Sequence, residues 1–137
     1  MEPIDCPYCG GKATFRDTRL IYGRSYGMGY ICENYPKCDA YVGAHRKDDK
    51  PLGTPANAKL RKWRNKAHAT FDPLWSAHKG LRVFSSRQKA YKNLAAYLKI
   101  PESKCHIAMF DATQCHKVTI FAKVVRKEVL NGGKDNT

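Results

Sequence analysis

Two stretches of the sequence decide the fold: Cys6-Pro7-Tyr8-Cys9, which is followed by Gly10-Gly11, and Cys32-Glu33-Asn34-Tyr35-Pro36-Lys37-Cys38. A structural zinc site needs four ligands at the corners of a tetrahedron, and two short loops can supply two thiolates each. A complete set of four thiolates leaves no coordination position open for a substrate. We therefore predict one structural Zn²⁺ bound by Cys6, Cys9, Cys32 and Cys38. The alternatives are a redox-active cysteine pair and cysteines that only pack in a core.

Length and composition limit the class of protein. The chain has 137 residues, of which 42% are hydrophobic and 27% are charged. This fits one globular domain, or a small module joined to a second module of about 90 residues. No apolar run approaches the ~20 residues that span a bilayer, and the N-terminus lacks the features of a secretory signal. We therefore expect a cytoplasmic protein with no membrane partner, in which the thiols stay reduced.

The segment around these cysteines is predicted to be a zinc ribbon. Residues 13–21 and 26–32 favour β-strands, and a turn at residues 22–25 separates them. Gly10 and Gly11 permit a turn with positive φ that points backbone amides at the thiolates. A metal also explains how about 45 residues with few aliphatic side chains fold, because it substitutes for a large core in so small a unit.

The cysteine motifs resemble a known finger. The Cys-Pro-Tyr-Cys-Gly run at residues 6–10 and the run at residues 29–38 are similar to the C-terminal zinc fingers of bacterial type IA topoisomerases. Such fingers bind single-stranded DNA, which the resemblance implies for residues 1–44. The order of features from residue 41 to Cys115 is also similar to small phage, plasmid and bacterial proteins with a topoisomerase-like zinc finger at the N-terminus. That second resemblance implies little about chemistry.

Positive charge is concentrated in the middle of the chain. The formal net charge is +13, and residues 40–100 contain fourteen Lys or Arg against three Asp or Glu. Basic and acidic residues balance over residues 1–39. A small compact chain with such an excess repels itself unless it meets a polyanion. We therefore predict nucleic acid as the partner of the middle part.

An amphipathic helix is predicted at the start of this basic part. Thr54 is expected to cap it, with Pro55 at its first position. Apolar residues then recur at helical spacing at positions 56, 60, 63, 67 and 71. Trp63 lies on that apolar face and is therefore expected in the core rather than against a ligand. Residues 81–84 further on are expected to be a short strand or an extended connector.

A second helix and a mixed C-terminal segment are expected to follow. Residues 85–88 fit a capping box for the second helix, which ends before Pro101. Residues 105–110 are predicted to be a strand. Residues 118–129 fit both a strand and a helix, and a cap at residues 111–114 favours the helix.

The predicted fold class is α+β. An N-terminal zinc ribbon of small antiparallel β-structure precedes a mainly helical basic module with a short β element. The predicted domains are the ribbon at residues 1–45, a linker at 46–54, the basic module at 55–130 and a flexible tail at 131–137.

The predicted function is non-catalytic binding of nucleic acid, with single-stranded DNA favoured and low sequence selectivity. Basic side chains track phosphates and exposed aromatic rings stack on bases. The predicted contact residues are Lys59, Arg61, Lys62, Arg64, Lys66, Arg82, Arg87 and Lys89 for phosphates, and Tyr26, Tyr30 and Tyr35 for bases.

Two other functions stay open at this stage. One is a protein of a phage or mobile element that docks on a host nucleic-acid enzyme or defence factor. The other is a small nuclease, or an enzyme that modifies nucleic acid, in which His68, His78 or His106 activates water. A second metal site would draw on the same histidines with Cys105 and Cys115, although neighbouring Cys and His on a strand point to opposite faces.

Overall fold

The structure, a computed structural model, describes residues 1–76 and 82–132. Strands occupy the N-terminal part and helices the C-terminal part, so the predicted α+β class is confirmed. The chain divides into two compact units, Met1–Arg61, hereafter the ribbon unit, and Lys62–Thr137, hereafter the helical unit. Within the described residues, no helix combines the length and the apolar character needed to cross a membrane.

A four-stranded antiparallel sheet in the order β1-β2-β3-β4 forms the ribbon unit. The strands are β1 (Ile4–Asp5), β2 (Lys12–Asp17), β3 (Met28–Cys32) and β4 (Tyr41–Gly43). In the β2–β3 hairpin, Ala13 pairs with Cys32. Because alternate side chains point to opposite faces of a sheet, Ala13, Tyr30 and Val42 share one face and form a small buried cluster there.

The strand predicted over residues 13–21 is wrong at its C-terminal end. β2 ends at Asp17, and Arg19–Tyr22 form a helical turn, α1. The Asp17 carboxylate accepts a hydrogen bond from the Arg19 amide at 2.8 Å, which starts the turn. Gly23 ends it with a φ of 78°, a conformation that glycine adopts without steric cost.

The first long helix, α2 (Ala58–Phe71), begins later than predicted. Ala56 pairs with β4 at the edge of the sheet, so the chain is still extended where the helix was expected to start. Asn57 provides the cap, since its side-chain oxygen accepts a hydrogen bond from the Leu60 amide at 3.0 Å. The predicted cap at Thr54 is therefore wrong.

A large apolar core holds the helical unit together. In the described part of the chain, fourteen buried residues contribute to it from α2, α3 (Arg87–Leu98), α4 (Ala112–Gly132) and the segments between them. The Phe71 ring lies inside this core, 4.7 Å from the Tyr91 ring and 6.3 Å from the Phe121 ring. Trp63 packs against the core, as predicted.

The second helix, α3, begins one residue later than the predicted capping box. Ser86 rather than Ser85 is the cap, and its Oγ accepts a hydrogen bond from the Lys89 amide at 3.1 Å. Both serines precede an apolar helical pattern, so the sequence alone does not choose between them. The helix ends at Leu98, before Pro101, as predicted.

The short β element predicted for the basic module does not occur in the described residues. Residues 105–110 contain the 3₁₀ segment Ile107–Met109 instead of a strand, and residues 82–84 form a connector, residue 81 lying outside the described residues. Without a neighbouring strand, extended backbone groups would lack partners. In the 3₁₀ segment they bond locally, because the Met109 amide donates to the His106 carbonyl at 2.9 Å.

The C-terminal helix α4 is confirmed as predicted. Asp111 Oδ1 accepts a hydrogen bond from the Gln114 amide at 2.8 Å, and Gln114 Oε1 accepts one from the Asp111 amide at 3.1 Å. This reciprocal pair caps the helix. Residues 118–129, which fitted both a strand and a helix, are helical. Of the predicted tail, residues 131–132 belong to α4 and residues 133–137 lie outside the described residues.

Candidate functional site

The two cysteine loops leave the same end of the sheet. The first loop joins β1 to β2 and the second joins β3 to β4. Because Ala13 pairs with Cys32, the start of β2 and the end of β3 lie side by side. The first loop is closed by its own backbone, since the Cys6 amide donates to the Gly11 carbonyl at 2.9 Å.

The four predicted ligands converge at this end. The Sγ atoms of Cys6, Cys9, Cys32 and Cys38 all lie within 4.8 Å of one another. The Sγ atoms of Cys6 and Cys38 are 3.6 Å apart, and those of Cys9 and Cys32 are 3.4 Å apart. A Zn–S distance of about 2.3 Å gives a tetrahedral edge of about 3.8 Å. The cluster therefore has the dimensions that zinc requires.

Hydrogen bonds from one asparagine support two of the sulfurs. The Asn34 amide donates to Cys32 Sγ and the Asn34 side chain to Cys9 Sγ, both at 3.4 Å. The Asn34 side chain, helped by the Gly11 amide, lowers the pKa of Cys9 to about 6. Burial raises the pKa of Cys32 to about 12, so zinc must replace the proton of that thiol. The expected positive φ occurs at Gly10, at 76°.

These four cysteines form a structural site for one Zn²⁺, as predicted. The sulfurs converge from two loops, which neither a single redox pair nor separate packing cysteines would require. Four thiolates fill all four positions of the metal and leave none for a substrate. The zinc therefore contributes folding free energy to the ribbon unit.

One of the predicted phosphate-binding arginines is buried. Arg64 is only 7% exposed, and its Nε donates to the Phe110 carbonyl at 3.0 Å. The helical pattern predicted that Arg64 lies on the exposed, basic face of the helix. Its long stem and its several donors instead allow the guanidinium to serve a backbone carbonyl inside the helical unit. We correct the prediction by assigning Arg64 to the packing of that unit.

Arg61 is held within the ribbon unit in a similar way. Its guanidinium donates to the carbonyls of Asp39 and Ala56. It also lies over the Tyr41 ring, with its central carbon 3.9 Å from the ring centroid. The donor groups of this arginine are therefore already largely engaged, unlike those of a solvated cation.

The other six predicted cations are exposed. They are Lys59, Lys62, Lys66, Arg82, Arg87 and Lys89. Lys59, Lys62 and Lys66 share one face of α2, because residues three and four apart are neighbours on a helix. Two of the six lie beside aromatic rings: Lys66 is 5.4 Å from the Trp63 centroid, and Arg87 is 4.7 Å from the Tyr91 centroid.

The three predicted stacking tyrosines have different environments. Tyr30 is 2% exposed, packs edge-on against Phe15 and donates to the Asp49 carbonyl. Its predicted contact with bases is corrected, since the ring belongs to the core of the ribbon unit. Tyr35 is half-buried, whereas Tyr26 is exposed at the surface.

Two tyrosines that the sequence analysis missed extend the surface around Tyr26. The Tyr22 ring lies 5.5 Å from the Tyr26 ring and 6.2 Å from the Tyr41 ring, edge to face in both cases. The phenol oxygens of Tyr22 and Tyr41 are 3.1 Å apart. The guanidinium carbon of Arg24 is 5.4 Å from the Tyr26 centroid. We name Tyr22, Tyr26 and Tyr41 the tyrosine cluster.

The loop that presents this cluster is fixed by one buried threonine. Thr18 Oγ1 donates to the Gly27 carbonyl and accepts from the Tyr26 amide, both at 2.9 Å. A prediction of residues 41–43 as a strand would have placed Tyr41 beside β3, where it lies in β4. Tyr22 has no comparable local signal, because its position depends on the helical turn α1.

The cysteines considered for a second site are ordinary buried thiols. Cys105 and Cys115 are fully buried, and burial raises the pKa of each to about 11. Both therefore stay protonated at neutral pH. Within the part of the chain that the structure describes, the four-cysteine cluster of the ribbon unit is the only group of three or more metal-ligand side chains that converge.

Two of the three histidines considered for catalysis lie within the described residues. His68 Nδ1 lies 3.3 Å from the Asp72 carboxylate, one helical turn away. His106 lies next to Tyr91, with ring centroids 5.9 Å apart. His78 lies outside the described residues.

The chain belongs to a family of zinc-finger-containing domains, whose pattern it matches over residues 2–127. The match covers the ribbon unit and most of the helical unit, and it agrees with the four-thiolate site. No curated protein and no solved structure matches the chain.

Proposed function

We propose that this protein binds nucleic acid without catalysing a reaction, and that single-stranded DNA is its preferred ligand. The observation that carries the proposal is the tyrosine cluster on the zinc-held ribbon, where Tyr22 and Tyr26 are 51% and 61% exposed. Unpaired bases stack on such rings whatever their sequence, with a gain of about 1–3 kcal/mol per base. Bases in a duplex are already stacked and paired, so the cluster favours single strands.

Charge around the tyrosine cluster suits a strand of phosphates. Arg24 lies close enough to Tyr26 for its guanidinium to pair with a phosphate while the ring stacks on the attached base. Burial raises the pKa of Tyr41 to about 12. Its phenol therefore keeps its proton at neutral pH and does not repel the phosphate backbone.

The exposed lysines and arginines supply the sequence-independent part of the binding. Six of the predicted phosphate contacts are at the surface, and the chain as a whole carries a formal charge of +13. Such contacts release counterions and make affinity fall steeply with salt. The resemblance of the cysteine motifs to topoisomerase fingers favours DNA over RNA.

The direct test is binding of the zinc-loaded protein to labelled oligonucleotides of about 20 nucleotides, longer than the ~4–16 nucleotides of a typical single-strand site. Fluorescence anisotropy compares single-stranded DNA, duplex DNA and RNA across a salt series. We expect the tightest binding to single-stranded DNA, similar affinity for different sequences, and a log–log salt slope of about −0.7 per contacted phosphate. With magnesium added, cleaved strands in the same tubes would contradict binding without catalysis.

A matched pair of variants at one position tests the stacking role. Tyr26→Leu keeps the apolar bulk but removes the ring, and is expected to weaken single-strand binding by about 1–3 kcal/mol. Tyr26→Phe keeps the ring and is expected to bind like the natural protein. Zinc content and the circular dichroism spectrum of both variants check the fold. Equal affinity of the two variants, or equal binding to duplex and single strand, would show that the proposal is wrong.

A second candidate function is docking on another protein. A groove on the helical unit, lined by apolar side chains that include Tyr97 and Val124, favours it.

A further inference from the structure

A cavity lies beside the tyrosine cluster on the ribbon unit. Its volume is about 310 Å³, at the lower end of the ~300–1,000 Å³ that small-molecule sites occupy. Tyr26 of the cluster lines it, and Met28 and Ala44 add an apolar surface. The polar part of the lining comes from the loop after β4, which contributes His45, Arg46 and Asp49.

The loop after β4 is fixed by hydrogen bonds. The His45 amide donates to the Lys50 carbonyl at 2.8 Å, and the Asp49 amide donates to the His45 carbonyl at 2.9 Å. The Tyr30 hydroxyl donates to the Asp49 carbonyl from the core of the ribbon unit. Thr18 fixes the loop that carries Tyr26 on the other side of the cavity. A ligand that enters between two fixed loops orders little of the protein, so little binding free energy is lost.

The polar side chains of this lining have no partner within the protein. Among the described residues, no hydrogen bond or ion pair engages the His45 ring, the Arg46 guanidinium or the Asp49 carboxylate. His45 and Arg46 are exposed, whereas Asp49 is half-buried. A half-buried carboxylate without a partner favours a ligand that donates hydrogen bonds to it.

The chemistry of a carboxylate distinguishes one DNA base from the others. An ionised carboxylate has two oxygens that only accept hydrogen bonds. Guanine carries two adjacent donors on its Watson–Crick edge, N1–H and the N2 amino group. Adenine and cytosine have an acceptor next to their amino group, and thymine has a carbonyl on each side of its N3–H. A protein reaches this edge in a single strand, whereas pairing occupies it in a duplex.

We propose that this cavity binds one unpaired guanine of the bound strand, with the base against Tyr26 and its N1–H and N2 amino group donating to the Asp49 carboxylate. Arg46 contacts a neighbouring phosphate. The inference rests on the proposed binding of single-stranded DNA and adds a base preference at one position. The rest of the strand is not read, so oligonucleotides of mixed sequence that contain guanine still bind alike.

The two charges of the lining disfavour simpler ligands. A small cation that pairs with Asp49 is repelled by Arg46, and a free phosphate that pairs with Arg46 is repelled by Asp49. A guanine nucleotide satisfies both groups, because its base donates hydrogen bonds while its phosphate carries the negative charge.

The test uses an oligothymidine of about 12 nucleotides, within the ~4–16 nucleotides of a single-strand site. In three further strands, one central thymine is replaced by guanine, adenine or cytosine. Fluorescence anisotropy measures the affinity of each labelled strand for the full-length, zinc-loaded protein. We expect the strand with guanine to bind about fivefold more tightly than each of the other three.

Two neighbouring aspartates provide a matched pair of variants. Asp49→Asn replaces one acceptor by a donor, so the guanine preference should fall below about twofold. Asparagine also tolerates the positive φ of 62° at this position. Asp48 does not line the cavity, and in Asp48→Asn a side-chain oxygen remains to accept from the Lys50 amide. Asp48→Asn should therefore keep the full preference.

The pair also separates base recognition from charge. Both variants remove one negative charge, so both should bind the oligothymidine with the same affinity. Zinc content and the circular dichroism spectrum check that both are folded. Tighter binding of all four strands by Asp49→Asn, with the guanine preference unchanged, would show that Asp49 only repels phosphates and would overturn the proposal.

Other outcomes would also overturn the proposal. Equal affinity of the natural protein for the four strands would remove the guanine site and leave single-strand binding intact. Equal loss of the preference in both variants would show that Asp49 does not read the base. Failure of all four strands to bind at low salt would contradict the proposed function itself, and the guanine site with it.

Discussion

The two units of this protein hold their folds by different means. The ribbon unit buries only small clusters, such as Ala13 with Tyr30 and Val42, and depends on four sulfurs that surround a metal. Among the described residues of the helical unit, fourteen are buried in one core. Units of about 60 residues bury too little surface to be more than marginally stable. Loss of a sulfur is therefore critical in the ribbon unit, whereas loss of an apolar side chain is critical in the helical unit.

Loss of zinc is expected to have the largest effect. A strong chelator, or the substitution Cys32→Ser, should unfold the ribbon unit, because a structural zinc contributes about 10–16 kcal/mol in small zinc domains. Amide hydrogen exchange measured by NMR should show loss of protection in β2 and β3. Amides of α3 and α4 should keep their protection.

A cysteine of the helical unit provides the control for that experiment. Cys105 is fully buried but lies outside the four-sulfur cluster. Cys105→Ala should therefore leave one zinc per chain, measured by atomic absorption. Release of zinc by this variant, or unfolding of α3 and α4 on chelation, would contradict the claim that only the ribbon unit depends on zinc.

Truncation of the central aromatic residue should give the second largest effect. Phe71 is fully buried against Tyr91 and Phe121, and Phe71→Ala should cost about 3–5 kcal/mol through the lost contacts and the cavity. Urea unfolding followed on the helical signal measures this cost. Zinc affinity should not change. Leu130→Ala, at an exposed position of α4, should change the free energy of unfolding by no more than about 0.5 kcal/mol. A loss as large as that of Phe71→Ala would contradict the assignment of Phe71 to the core.

The cap of α2 should give the smallest effect. Asn57→Ala removes the acceptor for the Leu60 amide and should lower stability by about 1 kcal/mol. Asn57→Ser retains an acceptor and should restore most of this loss. Thermal unfolding of both variants measures the difference. Equal midpoints for the two variants would mean that the cap is not the stabilising feature at this position.

The zinc ligands could be predicted from the sequence because the chemistry is local. Two close pairs of cysteines can bind a metal wherever a small sheet brings them together, and the spacing within each pair already fixes its loop. Helix starts were less certain, since neighbouring residues offer equivalent caps. Ser85 and Ser86 differ by one position, and the start of α2 depends on the pairing of Ala56 with β4, which no local pattern shows.

The surface of the ribbon unit was harder to predict for a different reason. The tyrosine cluster joins residues from the α1 turn, the loop after it and β4, and its members are not periodic in the sequence. Burial of Tyr30 follows from its pairing opposite Val42 in the sheet. Periodicity identifies a basic helix, but it does not show which of its cations turn inwards.

The two fixed arginines have a consequence for how this chain can vary. Arg61 donates to two carbonyls and lies over the Tyr41 ring, and Arg64 donates to the Phe110 carbonyl. The single ammonium of a lysine cannot reproduce that planar fork. We expect that an exposed lysine of α2 such as Lys62 can be replaced by arginine, or exchanged with a neighbouring position, without disturbing the fold. Positions 61 and 64 are thus expected to tolerate substitution as poorly as core positions, although a count of charges places them on the surface.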